Sequence, residues 1–354
     1  MRLISVVIVD DSPSVRAVLR RFLSRGPEIR VLGEAADGES GVELVERLRP
    51  DVLLLDLAMP KLDGFGVLRR LAESGPVPTI VLTSRANRSE VRAAFEALRA
   101  GAVELLPKPE DPDSWRQLSE TLPRVVRAAA AAERPERAER SRAREPVAAT
   151  APPRGAPAAG APLLELRWLG LGASTGGPAA LRDLLAALPA PPPFRVVVVQ
   201  HIARGFEGGL ADWLAGSLGL DVRVALDGER PRAGAIRIAP SGAHLRVAAD
   251  ERLVLDGETP PRRGHRPSVD ELFLSLAATA PRESAAALLT GMGSDGAEGL
   301  AALRRAGALC FAQDEASSAV FGMPRAALEL GAAEAALTPR GIGEELARRV
   351  GAAG

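Results

Sequence analysis

The sequence predicts an α/β protein made of two doubly wound domains, the second carrying a β-hairpin addition to its parallel sheet. Two features of its composition support this fold class. The chain has 354 residues, which favours two domains over one, and 46% of them are apolar, which is enough to fill two cores. In both halves, apolar runs alternate with amphipathic stretches, as strands alternate with helices. We expect the first domain over residues 1–130 and the second over residues 164–352.

Three continuous apolar runs predict buried parallel strands in the first domain: LISVVIV, VLLLDL and TIVLTS. After the first run, apolar residues recur at helical spacing, at Val15, Val18, Leu19, Phe22 and Leu23. Ligands of doubly wound sheets bind beyond the carboxyl ends of the strands. The polar residues that end these runs are therefore candidates for function.

The second domain offers a longer set of strand candidates, namely RWLGLGA, RVVVVQ, DVRVAL, AIRIA, HLRVAA, RLVLD and AAALLTG. The short alternating runs between Asp221 and Asp256 predict antiparallel or hairpin strands. Apolar periodicity predicts helices over Pro178–Leu188, Gly205–Leu218, Val269–Ala278 and Ala297–Ala306. Between the two domains, residues 131–163 carry almost no large apolar side chain. We expect a flexible linker there, whose charged first part can extend the preceding helix, because such a segment buries too little surface to offset its ordering entropy.

The composition argues against several classes of function. Lys plus Arg and Asp plus Glu number 45 each, and neither a basic face nor a helix-turn-helix pattern indicates a nucleic-acid partner. The single cysteine, Cys310, fits a reducing compartment and is expected to be a small buried apolar residue. Neither a secretory signal nor a bilayer-length apolar run is visible, so we expect a soluble cytoplasmic protein without membrane insertion.

Polar residues with phosphotransfer chemistry end the strands of the first domain. Asp10 and Asp11 follow the first run and Asp56 ends VLLLD, so three carboxylates should meet at one edge of the sheet. Such a cluster favours a hard cation such as Mg²⁺. Lys108 in LLPKP supplies a fixed positive charge, and Thr83 supplies a hydroxyl. This set suits transfer of a phosphoryl group onto Asp56; the simpler interpretation is that each Asp caps the following helix.

A second constellation ends three strands of the second domain: Ser174, His201 and Asp295 are the parts of a nucleophilic hydrolase site. Ser174 lies in GASTG, which matches the G-x-S-x-G pattern of a strand-to-helix turn. We expect Asp295 to accept the Nδ1–H of His201, which activates Ser174. Thr175, in the serine turn, and the backbone amides near Met292 are the candidates for the oxyanion site.

Other interpretations of these motifs remain open. The glycines around Ser174 could cradle a dinucleotide, although their spacing is not G-x-G-x-x-G. Asp295 could simply cap the helix that follows it. Ser174 could instead act with His265 and an aspartate between residues 212 and 227, which would restore the chain order of α/β-hydrolases. We expect His244 to be structural, and His265 either to face the substrate or to hold a loop.

The first domain resembles two-component receiver domains over about Leu3 to Arg127, on the motifs DLAMPKLDG and EALRAGAVELLPKP. The resemblance implies a flavodoxin-like fold and a histidine kinase as phosphodonor. It also implies the residue roles: Asp56 is the phosphoacceptor, Asp10 and Asp11 hold Mg²⁺ together with Asp56, Lys108 contacts the phosphoryl group, and Thr83 is the switch hydroxyl.

The second domain, over about Leu166 to Val350, resembles the chemotaxis protein-glutamate methylesterase/glutamine deamidase (CheB) family. The motifs that carry the resemblance are GLGASTGGPAAL, VVVQH, IAPSGAHLRV, HRPSVDELF, LLTGMGSDGAEG and AQDEASSAVFGMP. It implies a triad of Ser174, His201 and Asp295, methyl-accepting chemotaxis receptors as substrates, and no cofactor for the esterase. One departure is IARGFEGGL, where a PPGFT-like segment is usual, and it affects the mouth of the site.

A receiver joined to an enzyme by a linker suggests regulation. We expect the receiver to cover the triad until Asp56 is phosphorylated, because the added charge can bias a two-state interface. The competing class of function is a response regulator whose second domain only binds a partner; the complete trio of Ser174, His201 and Asp295 argues against it.

Overall fold

The computed structural model describes residues 3–83, 88–109, 111–131 and 165–351. These residues fall into two compact units, one within residues 1–132 and the other within 133–354, and each is an α/β unit with a parallel sheet. The predicted fold class is therefore confirmed. The predicted linker, residues 131–163, lies outside the described residues apart from Ala131, so it stays a prediction. No helix in the described ranges is long and apolar enough to cross a bilayer.

The first unit is a five-stranded parallel sheet in the order β2-β1-β3-β4-β5, with helices between the strands. Its elements are β1 (Ile4–Val9), α1 (Pro13–Leu23), β2 (Ile29–Ala35), α2 (Gly38–Leu48), β3 (Val52–Asp56), α3 (Gly64–Ser74), β4 (Thr79–Thr83), α4 (Arg88–Arg99), β5 (Ala102–Pro107) and α5 (Pro112–Ala131). The three apolar runs of the sequence form β1, β3 and β4, whose central residues are fully buried. Their carboxyl ends lie side by side at one edge of the sheet.

The second unit is built on a seven-stranded parallel sheet in the order β14-β13-β12-β6-β7-β9-β8, with a separate hairpin of β10 and β11. Its elements are β6 (Trp168–Ala173), α6 (Gly177–Ala186), β7 (Arg195–Gln200), α7 (Glu207–Leu218), β8 (Asp221–Val224), β9 (Ala235–Ile238), β10 (His244–Val247), β11 (Leu253–Asp256), α8 (Val269–Thr279), β12 (Ser284–Leu288), α9 (Ala297–Arg305), β13 (Leu309–Gln313), α10 (Met323–Glu329), β14 (Ala335–Leu337) and α11 (Pro339–Gly351). The four predicted helices are present within two residues at each end.

The expectation of antiparallel strands between Asp221 and Asp256 is only half right. β10 and β11 form the antiparallel hairpin, but β8 and β9 pair in parallel and extend the main sheet. The alternation in AIRI is misleading because Arg237 is only 6% exposed and its charge is neutralised inside the fold. Its guanidinium bonds to Glu229 at 2.6 Å and lies 3.4 Å from Asp221.

Two glycines of β6 bring helix α8 close to the centre of the main sheet. A Cβ added at Gly170 would lie 2.8 Å from Leu276 Cδ1, and one added at Gly172 would collide with Val269. Without side chains at these two positions, the N-terminus of α8 packs directly over the carboxyl half of β6. The first residue of α8, Val269, therefore contacts the carboxyl half of β6.

Candidate active site and phosphoacceptor site

The acidic residues of the first unit meet at the carboxyl edge of its sheet. Asp10 follows β1 and Asp56 ends β3; both side chains are buried, whereas Asp11 is exposed. One carboxylate oxygen from each of the three lies within 4.8 Å of the others. Hard carboxylate oxygens at this spacing are a suitable donor set for a divalent cation.

Lys108 and Thr83 lie at the same edge. Lys108 Nζ is 2.6 Å from Asp56 Oδ2 and 2.9 Å from Asp10 Oδ2. The Lys108 N–H also donates to the Thr83 carbonyl oxygen at 2.7 Å, which ties the residues after β4 and β5 together, and the Thr83 side chain is buried. The structure thus brings all five residues predicted for phosphotransfer to one edge of the sheet.

The charges of this cluster are strongly coupled. Burial raises the pKa of Asp56 above its ordinary value, and the contact with Lys108 offsets part of that rise. Burial alone would lower the pKa of Lys108, but its bonds to Asp56 and Asp10 outweigh burial and leave that pKa raised. The lysine therefore stays protonated at neutral pH and supplies a fixed positive charge next to Asp56.

In the second unit, Ser174 and His201 follow directly after two neighbouring parallel strands. β6 and β7 pair up to Ala173 and Gln200, and the His201 N–H donates to the Ala173 carbonyl at 2.9 Å. The Ser174 N–H donates to the Thr290 carbonyl at 2.9 Å, across to the strand on the other side. Because neighbouring strands lie about 4.8 Å apart, the two side chains leave the sheet side by side.

His201 contacts Asp295, but through the other ring nitrogen than expected. Nε2 lies 2.8 Å from Asp295 Oδ2, whereas Nδ1 is buried and has no hydrogen-bond partner within the described part of the chain. The prediction that Nδ1 binds Asp295 is therefore wrong. The N-terminus of α8 holds Asp295 in place, and the ring nitrogen farther from the His201 backbone is the one that contacts it. Nδ1, the ring nitrogen nearer the His201 backbone, is left available to accept a proton.

Asp295 is held by the N-terminus of α8. Its Oδ1 accepts from the Ser268 hydroxyl at 2.7 Å and from the Asp270 N–H at 3.1 Å, and its Oδ2 accepts from the Val269 N–H at 2.8 Å. The alternative that Asp295 caps its own following helix is wrong, since the N-cap of α9 is Gly296 and no side chain caps that helix. The positive end of the α8 dipole further favours a carboxylate here.

These donors also set the charge of Asp295. Burial raises the pKa of Asp295, but the hydrogen bonds from His201, Ser268 and Val269 lower it by a larger amount. The pKa therefore lies well below the ordinary value of 3.8. Asp295 is therefore an anion at neutral pH. An anion at Nε2 keeps the proton of a neutral imidazole on that nitrogen and stabilises the imidazolium that forms when Nδ1 accepts a proton.

Two backbone amides near Ser174 can bind an oxyanion. Among the described residues, neither the Thr175 N–H nor the Met292 N–H donates a hydrogen bond. Gly291 brings the loop that carries Met292 close to Ser174, because a Cβ added at Gly291 would lie 2.6 Å from Ser174 Cβ. The lack of a side chain at Gly291 therefore lets the segment after β12 approach the serine.

Several residues that support this site were not predicted from the sequence. Gln200 Nε2 donates to the Ser174 carbonyl at 2.7 Å and to the His201 carbonyl at 2.9 Å, which fixes both backbone segments. Thr290 Oγ1 donates to the Thr175 carbonyl at 2.9 Å, and Ser268 binds Asp295 as described. The available signal was their position, because Gln200 and Thr290 are polar residues at the end of apolar runs.

The other two histidines differ in their surroundings. His244 is fully buried; its Nδ1 accepts from the Ser268 N–H and its Nε2 contacts the Pro260 carbonyl, both at 3.2 Å, as expected of a structural residue. His265 is partly buried beside His201. The alternative triad of Ser174, His265 and an aspartate between residues 212 and 227 has two candidate acids that are bound elsewhere. Asp221 pairs with arginines, and the Asp227 side chain accepts a hydrogen bond from the Leu255 N–H.

The unusual segment after His201 is anchored by its acidic residue. Glu207 is the first residue of α7, and its Oε2 accepts from the Gly205 N–H at 2.8 Å and from the Ser241 hydroxyl at 3.2 Å. These bonds tie the loop after β7 to the loop after β9. Glu207 therefore fixes the loop after His201 to its neighbour at the carboxyl edge of the sheet.

Known protein families match both units. A family model described as CheB methylesterase matches residues 169–346, and one described as response regulator receiver domain matches residues 6–120. The first match alone covers half of the chain.

Full-length relatives agree with these matches. A protein-glutamate methylesterase/protein-glutamine glutaminase of Anaeromyxobacter dehalogenans is 42% identical over 351 residues, which covers 98% of each chain. One of Symbiobacterium thermophilum is 40% identical over 357 residues, covering 99% of this chain and 98% of its own. The crystal structure of the Thermotoga maritima CheB methylesterase catalytic domain is 34% identical with a TM-score of 0.50, and covers 52% of this chain and 98% of that one. This chain therefore belongs to the CheB methylesterase family and carries a response regulator receiver domain ahead of its catalytic domain.

Proposed function

We propose that this protein hydrolyses glutamate methyl esters on chemotaxis receptors, deamidates selected receptor glutamines, and is activated by phosphorylation of Asp56. The observation that carries the hydrolase is the 2.8 Å hydrogen bond between His201 Nε2 and the buried Asp295, next to Ser174 at the ends of paired strands. The substrate class is supported by the names of the full-length relatives.

In the acylation step, Ser174 Oγ attacks the acyl carbon of the glutamyl ester. His201 Nδ1 accepts the hydroxyl proton, and Asp295 stabilises the imidazolium through Nε2–H. The amides of Thr175 and Met292 bind the oxyanion. A general base contributes about 10²–10⁴-fold to such a rate, and one oxyanion donor roughly 10²–10³-fold. The tetrahedral intermediate then collapses, and the leaving methoxide takes the proton from Nδ1 and departs as methanol.

In the second half-reaction, water is the nucleophile and Ser174 is the leaving group. A water gives one proton to His201 Nδ1 and attacks the acyl-Ser174 carbonyl. Collapse returns that proton to Ser174 Oγ and releases the glutamic acid side chain, which loses its remaining proton to solvent and becomes the carboxylate. With a glutamine side chain, the first leaving group is ammonia rather than methanol, and the acyl-enzyme is the same. One site therefore accounts for both activities.

In the receiver we propose that Asp56 is the phosphoacceptor, that a histidine kinase is the phosphodonor, and that Asp10, Asp11 and Asp56 hold Mg²⁺. When bound, the ion supplies positive charge that neutralises the phosphoryl oxygens. The chain's own contribution is the carboxylate of Asp56, which attacks phosphorus as the P–N bond to the donor histidine of the kinase breaks and its imidazole leaves, and the ammonium of Lys108, which lies 2.6 Å from that carboxylate. Thr83, at the end of β4, supplies the hydroxyl that we propose responds to the phosphoryl group.

Replacement of Asp56 by Asn is expected to abolish activation while leaving basal esterase activity. Asparagine has no carboxylate that could accept a phosphoryl group, so acetyl phosphate with Mg²⁺ should no longer raise methanol release. Asp113→Asn is the matched control, since Asp113 is an exposed carboxylate on the same unit. Full activation of the Asp56→Asn protein would contradict the assignment.

Removal of residues 1–163 is expected to raise methylesterase activity above that of the unphosphorylated full-length protein. We propose that the receiver restrains the catalytic unit, and coupling free energies of this kind are worth roughly 5–150-fold. The measurement is methanol release from methylated receptors at equal enzyme concentration. A truncated protein no faster than the unphosphorylated full-length chain would rule out restraint by the receiver.

The direct test of the proposed function is methanol release from methylated chemotaxis receptors by the full-length protein, with and without acetyl phosphate and Mg²⁺. We expect release in both conditions, faster with the phosphodonor. Ammonia release from receptors carrying glutamine at the same sites tests the deamidase. A protein that binds receptors but releases neither product would support the partner-binding alternative instead.

A further inference from the structure

His265 lies face to face with the histidine of the active site. The ring centroids of His201 and His265 are 3.9 Å apart and the ring planes differ by 3°, which is a parallel stack. His265 belongs to the segment that leads from the β10–β11 hairpin to α8, far from His201 in the chain. Nothing in the proposed chemistry so far uses this contact.

The segment that carries His265 is firmly anchored. Arg262 and His265 exchange two backbone hydrogen bonds of 3.1 and 2.9 Å, and the two residues between them, Arg263 and Gly264, both have positive φ. Positive φ at both central residues is the geometry of a tight type I′ turn. The ring of His265 is therefore mounted on a short hairpin rather than on a loose loop.

Charged side chains fix this hairpin to the helices around the site. Arg262 bonds to Glu271 of α8 at 3.0 Å, and Arg263 bonds to Glu298 of α9. Arg266, just after the hairpin, donates to the Gly257 carbonyl at 2.7 Å. Because α8 also holds Asp295, the same helix sets both the carboxylate at the edge of the His201 ring and the hairpin that covers its face.

These contacts constrain different motions of the His201 ring. The bond from Nε2 to Asp295 decides which ring nitrogen is protonated, but it leaves the ring free to tilt about that bond. The lone pair of Nδ1 lies in the ring plane, so a tilt would turn it away from Ser174. A flat partner parallel to the ring opposes such a tilt. We propose that His265 is a positioning residue that keeps the His201 ring plane aligned for proton transfer with Ser174.

This inference rests on the proposed function and can be tested with two variants of the full chain. His265→Ala removes the stacking partner, and His265→Phe keeps a flat ring without its nitrogens. A loss of alignment of the order of 1 Å can lower a rate by about 10²-fold. We expect His265→Ala to lower kcat for methanol release by roughly 10- to 100-fold with KM nearly unchanged, and His265→Phe to restore most of the loss.

A second readout does not depend on turnover. Imidazole nitrogen NMR of the wild-type protein should show His201 with Nε2 protonated and Nδ1 unprotonated. Both variants should keep this protonation, because Asp295 sets it, but the His201 ring signals should broaden in the Ala variant, whose ring samples several tilts, and stay as sharp as in the wild type in the Phe variant. Thermal unfolding of all three proteins identifies a variant that fails to fold. If the Ala variant does not fold, the Phe variant is compared with the wild type.

The outcomes separate this inference from the proposed function. If wild-type protein releases no methanol, the proposed function fails, while the NMR comparison still tests the stack. If His265→Ala keeps the wild-type kcat, or if folded His265→Phe is as slow as His265→Ala, alignment by stacking is wrong. A rise in KM without a fall in kcat would also overturn it, because it would make His265 a substrate-binding residue.

Discussion

Substitution of Ser174 by Ala is expected to lower methyl ester hydrolysis by about 10⁶-fold, the loss measured when the nucleophile of a serine hydrolase is removed. The loss should fall on kcat, because the alanine removes the atom that attacks the ester but leaves the loops around it in place. The Ser174 side chain is near the surface and its Oγ makes no hydrogen bond among the described residues, so the fold should be unaffected.

The measurement is methanol release from methylated receptors by wild type, Ser174→Ala and Ser217→Ala. Ser217 is an exposed serine of α7 and serves as the matched control. Phosphorylation of Asp56 should be unchanged in Ser174→Ala, since the two sites lie in separate units. Esterase activity of Ser174→Ala within tenfold of wild type would eliminate the proposed nucleophile.

Substitution of Asp295 by Asn is expected to lower kcat by about 10⁴-fold, as loss of the carboxylate in a serine triad does. In the wild type, the carboxylate accepts the Nε2–H of His201 and leaves Nδ1 unprotonated. An asparagine amide can donate to Nε2, which would move the ring proton to Nδ1. His201 could then no longer accept the proton of Ser174.

The same substitution should also destabilise the catalytic unit. The Asp295 carboxylate accepts four hydrogen bonds, three of them from the N-terminus of α8. An amide oxygen has two lone pairs, so buried donors are left without acceptors at a cost of about 1–3 kcal/mol each. Asp183→Asn, at an exposed position of α6, is the control. Unchanged stability and a kcat within tenfold of wild type would contradict this role for Asp295.

The pH dependence of stability has a defined sign at this residue. The pKa of Asp295 in the folded protein lies below the ordinary value of 3.8. The contribution of its carboxylate to stability is therefore fully present above about pH 4 and is lost as the pH falls toward the folded-state pKa. Acid unfolding of wild type should show this loss, and Asp295→Asn should not, because it has no proton to bind there.

The parts of the fold that were predictable are those where a single local signal decides. Short continuous apolar runs such as VLLLD and RVVVVQ, between amphipathic stretches, predict buried parallel strands, and parallel sheets bring the ends of such strands together. In the first unit, Asp10, Asp56 and Lys108 lie at such strand ends, and their meeting at one edge of the sheet was predictable for this reason. The parallel pairing of β8 and β9 was not predicted. Arg237 is buried and neutralised by Glu229, but in the sequence it resembles an exposed position of an alternating strand.

The finer geometry of the site depends on contacts that no local pattern encodes. The choice of Nε2 over Nδ1 at His201 follows from where α8 holds Asp295, and that position follows from Gly170 and Gly172 letting the helix approach β6. The stacking of His265 on His201 depends on a hairpin fixed by charges on two helices. Such features require the packed structure, because they join segments far apart in the chain.

The central claim is that Ser174 is a nucleophile activated by His201. Labelling of the full-length protein with a serine-directed phosphonate, followed by mass spectrometry of its peptides, tests this most directly. We predict one covalent adduct, on the peptide containing Ser174, and almost none after His201→Ala substitution. An esterase-active preparation in which Ser174 stays unmodified while another residue carries the label would contradict the claim.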